Sequence, residues 1–93
     1  MKNLKSVISF YCFTNIKKNF LDELKNTLLK HEEEGLTGLI IIAEEGINGT
    51  ICGDDLIMKK TFKLIKNYLN NQDLNEKLSF SKNKVFKKLK IKI

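Results

Sequence analysis

Ala43-Glu44-Glu45-Gly46-Ile47-Asn48-Gly49-Thr50 joins the most apolar run of the chain to a second strand-like run through a glycine-marked turn. The run before it, Gly38-Leu39-Ile40-Ile41-Ile42-Ala43, is continuous, β-branched and too short between its glycines for a helix, so it predicts a buried strand. Ile47 to Cys52 follows as the hairpin partner. Two registers compete. A type I′ turn at Asn48-Gly49 leaves the second strand only about four residues, whereas a turn at Glu45-Gly46 equalises the arms. The second is preferred, with Asn48 inside the strand and Gly49 as a bulge or a point of close backbone approach.

Working outward, Val7 to Phe13 is β-branched and aromatic and reads as a central strand, with Ile8, Phe10 and Cys12 toward the core and Tyr11 and Phe13 on the other face. A helix follows to about Glu34, with Asn15 or Asn19 as its cap. Its apolar stripe is Phe20, Leu24, Leu28 and His31 with Leu21 beside them, and Gly35 is its stop. Glu32-Glu33-Glu34 reads as a solvated face, poorly placed at a helix C-terminus. His31, the single histidine, reads as a helix-end residue favoured by the dipole rather than a catalytic base, because no nucleophile or carboxylate is placed to work with it. After Gly53, Asp54 caps a second helix with Met58, Phe62, Ile65 and Leu69 on its buried face. Asn70 to Asp73 breaks that helix. Lys77 to Lys82 alternates as an edge strand with Leu78 and Phe80 on one face. Leu89, Ile91 and Ile93 alternate with Lys88, Lys90 and Lys92 as a last, half-buried strand, and Phe86, out of phase, belongs to the turn or to the opposite face.

The order is strand, helix, strand, strand, helix, strand, plus an extra C-terminal strand. That is an α+β, ferredoxin-like split βαβ pattern (βαββαβ): right-handed crossovers place two helices on one face of an antiparallel sheet and leave the other face open. Ninety-three residues, 42% hydrophobic and 30% charged, suffice for one small domain spanning 1–93 and no more. No apolar run approaches the roughly 20 residues of a membrane span, and Met1 to Lys5 opens no signal peptide, so a cytoplasmic protein is expected. Cys12 and Cys52 lie far apart, form no CxxC or Cys/His cluster and sit in apolar runs; buried reduced thiols and no metal site are expected, although the two can approach if their strands are neighbours.

Charge is placed unevenly. Residues 1–76 hold 10 lysines against 11 acids, a net of −1, whereas residues 77–93 hold 7 lysines and no acid, a net of +7. Arginine is absent, so any polyanion is met by lysine point charges rather than bidentate forks.

The motif Ala43 to Thr50, then Gly53, then Phe86-Lys87-Lys88-Leu89-Lys90-Ile91, resembles the N-terminal domain of the bacterial rhodanese-related tRNA uridine 5-hydroxylases, and the likeness covers nearly the whole chain. The eight-residue motif is its specific part. The resemblance implies an acylphosphatase-like domain followed by a rhodanese domain, acting together in oxygen-dependent 5-hydroxylation of the wobble uridine of tRNA. The family's essential cysteine lies in the rhodanese loop, which would fall beyond Ile93. Neither Cys12 nor Cys52 matches it, so no catalytic residue and no cofactor are expected in this chain.

What remains is a grip on tRNA: Lys84, Lys87, Lys88, Lys90 and Lys92 as phosphate contacts, and Tyr11, with Phe13 or Phe86, stacking bases on the open sheet face. The alternative is that the lysines keep the surface soluble and the aromatics pack under another domain, making the chain a protein-interaction module. Glu44 and Glu45, neighbours pointing to opposite sides, are expected to solvate the turn rather than share a proton. Gly46, Asn48, Gly49 and Thr50 are given architectural roles. A stand-alone acylphosphatase would need glycines and an arginine around phosphate after the first strand, and Phe13 to Lys18 has neither.

Overall fold

The computed structural model describes residues 5–69, 74–81 and 86–93. Strand β1 (Lys5–Phe13) leads to helix α1 (Lys18–Leu29), which tightens into a 3-10 segment (Lys30–Glu34). Then come β2 (Thr37–Ala43), β3 (Gly46–Gly53), α2 (Asp55–Tyr68), β4 (Asn75–Ser81) and β5 (Leu89–Lys92). The strands lie in the order β4-β1-β3-β2-β5. The first four are antiparallel, as the βαββαβ order requires, but β5 joins the β2 edge in parallel. The sheet is therefore mixed rather than wholly antiparallel: the free edge of β2 accepts the returning chain in the direction in which it arrives.

Side-chain alternation divides the sheet into two faces. Phe10, Cys12, Ile40, Ile42, Ile47 and Ile51 share one core with Leu21, Leu24 and Leu28 of α1 and Met58, Phe62 and Ile65 of α2. Both helices thus cover the same face. Phe10 meets Phe62 edge-on, ring centroids 5.3 Å apart, a geometry worth about 1 kcal/mol beyond burial. All four residues of the α2 stripe, Met58, Phe62, Ile65 and Leu69, are buried. In α1 the stripe is Leu21, Leu24 and Leu28, while Phe20 lies at its margin and turns toward Tyr68, centroids 6.4 Å apart. Neither Asn15 nor Asn19 caps α1. The N-cap is Lys17, without a side-chain bond. Gly35 ends the 3-10 segment at φ 100°.

The hairpin loop is Glu44-Glu45, with Ala43 paired to Gly46, one position earlier than the expected turn at Glu45-Gly46. Asn48 and Gly49 lie inside β3, and its ladders to β1 and β2 run without a bulge. Of the two roles open to Gly49, close approach is the one realised: a Cβ there would stand 2.5 Å from the Leu39 carbonyl oxygen and 3.0 Å from the Ile40 Cα. Gly46 has φ 148°, and a Cβ on it would run into the Cys12 carbonyl oxygen. Its residue type is dictated twice, by conformation and by space.

Cys12 and Cys52 are both buried, and neither is in a disulfide. Their strands are neighbours, but Cys12 pairs with Ile47 while Cys52 pairs with Val7, which puts the sulfurs at opposite ends of the ladder and on opposite faces. They cannot meet. β4 is the edge strand expected, begins at Asn75 rather than Lys77, and leaves Leu78 exposed. The Phe80 side chain, Lys82 and the Asn70 to Asp73 break lie outside the described residues. Ile93, expected in the half-buried set with Leu89 and Ile91, is exposed. Among the described residues no helix is long and apolar enough to cross a membrane.

His31 falls in the last turn of the 3-10 segment, as expected, but burial rather than the helix dipole governs it. It is buried, and its Nδ1 shares a 2.8 Å hydrogen bond with the Oγ1 of Thr61, which is also buried, linking the end of α1 to the middle of α2. Burial pulls its pKa below the ordinary 6.5; Glu34 opposes this and Lys60 adds to it. With the folded pKa below the unfolded one, the unfolded chain takes up the proton first as the pH falls. The stability that neutral His31 contributes is therefore complete above about pH 6.5 and is lost as the pH falls through 6.5 toward the folded pKa. Urea melts at pH 7 and pH 5.5, a window above the usual carboxylate range, should show lower stability at the more acidic pH in the wild type and a smaller drop in His31→Gln. In the same melts Gly46→Ala should lose more than about 2 kcal/mol, the combined cost of a rare backbone conformation and a backbone clash.

Candidate nucleic-acid interface

The face of the sheet turned away from the helices carries the side chains that could meet a partner. Two cross-strand rows define it. One runs Lys77, Ser9, Thr50, Leu39, Lys90 and the other Asn75, Tyr11, Asn48, Ile41, Lys92. The central positions are neutral and partly apolar, and the lysines stand on the two edge strands. Burial alternates cleanly along β5: Leu89 and Ile91 enter the core, Lys90 and Lys92 are exposed. Lys87 and Lys88 are exposed in the segment entering β5, and Lys84 lies outside the described residues. Tyr11 is 47% and Phe13 82% exposed, with ring centroids 5.6 Å apart at 52°. Phe86, half-buried ahead of β5, borders a concavity of about 650 Å³ over Tyr11, Asn48 and Thr50.

The basic edge is secured from the helical layer. Glu32, expected to be merely solvated, accepts the Leu89 backbone N–H on its Oε2 at 2.7 Å, and the Lys88 carbonyl accepts from Gly38 N–H at 3.0 Å. Glu34 holds the Lys60 ammonium at 2.9 Å, an exposed pair worth little. The acidic run at the end of α1 is thus partly explained by partners that are remote in sequence. Nothing in the local pattern marks Glu32 as the residue that anchors β5; the signal is only its position three residues before a glycine stop.

The motif residues are dispersed. Glu44 and Glu45 side chains are exposed in the loop, and their carbonyls accept from Ile16 N–H at 2.9 Å and Thr14 N–H at 3.1 Å. The hairpin tip therefore clamps the β1–α1 connection, and both of those amides are unavailable to a phosphate cradled there. Gly46 is buried against β1, Asn48 is exposed on the open face, and Thr50 Oγ1 bonds Ser9 Oγ at 2.9 Å across the strands. Among the described residues no group of three or more His, Cys, Asp and Glu could hold a metal ion.

The βαββαβ order with both helices on one face of the sheet is a ferredoxin-like fold. Residues 5–93 match the UPF0176 acylphosphatase-like domain, and the chain belongs to that family. It is 50% identical over 93 residues to a tRNA uridine(34) hydroxylase of Prochlorococcus marinus (strain MIT 9515), covering 99% of this chain and 30% of that protein. It is 41% identical over 91 residues to a tRNA uridine(34) hydroxylase of Pelagibacter ubique (strain HTCC1062), covering 94% of this chain and 29% of that protein. The chain thus corresponds to about 30% of the length of these curated relatives. Among solved structures, an acylphosphatase from Coxiella burnetii matches with a TM-score of 0.62 at 15% identity, over 98% of this chain and 95% of that one. An acylphosphatase from Bacillus subtilis matches with 0.57 at 10% identity, over 97% and 98%. At such identities these two matches speak to fold alone.

Removing the Glu32 carboxylate leaves the Leu89 amide without its charged acceptor. Glu32→Ala should cost about 2 kcal/mol in chemical denaturation and speed hydrogen exchange at Leu89 and Ile91 more than in β3.

Proposed function

We propose that this chain is the tRNA-gripping N-terminal part of a wobble-uridine hydroxylase. The chemistry would be supplied by a rhodanese domain expected C-terminal to it. Family membership and the relatives named tRNA uridine(34) hydroxylase support the setting. The observation that carries the gripping role is the exposed lysine edge, Lys87, Lys88, Lys90 and Lys92, at one side of an uncovered sheet. Four like charges along one edge are poorly suited to an apolar partner and well suited to a phosphate backbone, where each neutralised phosphate releases a counterion. Lys84, on the same basic stretch, is assigned with them by sequence. The chain needs no catalytic group for this task, and none of its residues is assigned one. Cys12 and Cys52, both buried, are given no part in the chemistry.

Binding of the chain to unmodified tRNA, measured across a salt series, tests the reading. Replacing Lys87, Lys88, Lys90 and Lys92 together with Gln should weaken binding and flatten the slope of log affinity against log salt by about 3. An unchanged slope would sink the phosphate-gripping role.

A further inference from the structure

The lysine edge accounts for phosphates but leaves the middle of the open face unused. Tyr11 lies there at 47% exposure, in register with Asn48 and Ile41, and Phe13 stands further along the same strand on the same face. Tyr11, Phe13 and Ile41, all exposed on this face, form an apolar patch of the kind that marks an interaction site. The chemistry around them narrows what the partner is. Asn48, the cross-strand partner of Tyr11 on the same face, presents an amide, both donor and acceptor. Ser9 and Thr50 supply hydroxyls in the adjoining row. Lys77 on β4 and Lys90 and Lys92 on β5 frame the neutral middle, and no acid occupies either of the two rows. Four strand spacings separate the two edges, roughly 19 Å, a span of a few nucleotides.

We infer that the open face binds unpaired nucleotides, with a base stacked on Tyr11, its edge against the Asn48 amide, and the flanking phosphates on Lys77 at one side and Lys90 and Lys92 at the other. The inference rests on the tRNA-gripping role above and specifies which part of an RNA would be taken. Stacked bases inside a duplex are hidden from a sheet, because the A-form major groove is too deep and narrow for side chains to enter. Splayed bases of a loop or single strand can lie flat on an aromatic ring. A protein partner fits the same surface less well, since covering the flanking lysines would demand acids to pair with them. Asn48, placed in β3 by a hairpin loop two residues long, thereby has a contact role as well as a place in the ladder.

The test uses the chain with labelled oligouridylate and a blunt RNA duplex of equal length, followed by anisotropy at constant salt. Wild type should prefer the single strand. Tyr11→Ala should lose about tenfold on the single strand, the range for one base–aromatic stack, and leave the duplex unchanged, whereas Tyr11→Phe, which keeps the ring, should retain affinity. Asn48→Ala should lose about fivefold on the single strand, as expected for one hydrogen bond. The chain has no tryptophan and two tyrosines, so in a Tyr68→Phe background Tyr11 is the sole emitter; its fluorescence should be quenched by the single strand and not by the duplex. Tyr11 is half exposed, so its replacement leaves the core intact, and circular dichroism of each variant confirms this. If Tyr11→Ala binds the single strand as tightly as wild type while the lysine variants still lose salt sensitivity, the nucleotide site is wrong and the gripping role stands, with the aromatic face left to a protein. If wild type binds neither RNA, the gripping role falls and the nucleotide site with it.

Discussion

The close approach of three backbones at the β2–β3 hairpin is the constraint from which the rest follows. β3 is paired on both sides, with β1 from Gly46 to Gly53 and with β2 from Gly46 to Cys52, so it is an interior strand. At Gly49 the Leu39 carbonyl comes nearer than any side chain would permit, and at Gly46 the Cys12 carbonyl does the same from the opposite neighbour. The carbonyls of Glu44 and Glu45 then reach past the sheet to hold Thr14 and Ile16. One short motif therefore aligns the central strand, its two partners and the entry to α1. This explains why two acidic residues there serve through their backbones and why their side chains face solvent.

Placing the hairpin in this register also decides the character of both faces. A shift by one residue would exchange Ile47 and Ile51 for Asn48 and Thr50 in the core, burying polar groups without partners and exposing isoleucines. The observed register gives the helices an aliphatic face and leaves outward a shallow surface of hydroxyls, two amides and aromatic rings, bordered by lysines. The affinity of that surface for a polyanion and the stability of the core are thus two consequences of one alignment.

The helical layer contributes more than a cover. His31 and Thr61 close a buried polar link between the two helical segments, tying α2 to the end of α1. Glu32, one residue later, reaches the other way to the amide that begins β5. A parallel edge strand of four residues is weakly held by its own ladder, and this carboxylate, giving a charge-assisted bond, compensates. The 3-10 tightening after Leu29 is the local change that presents these adjacent residues to different partners.

Much of the fold could be read from periodicity. The alternation Leu89, Lys90, Ile91, Lys92, the stripe Met58, Phe62, Ile65, Leu69 and the glycine-bounded run 38–43 each carry their element type in residue spacing, because which faces are buried follows from the helical and strand periods alone. The separation of Phe10 and Cys12 from Tyr11 and Phe13 was legible for the same reason. What only tertiary structure decided depends on partners distant in sequence: the parallel docking of β5, the displacement of Phe20 to the margin of the core, the burial of His31 against Thr61 and the tie from Glu32 to Leu89. None of these leaves a local pattern, since each is set by what another segment places opposite. At Ala43 to Thr50, sequence named the glycines and the turn; only the assembled sheet showed whose carbonyls they make room for.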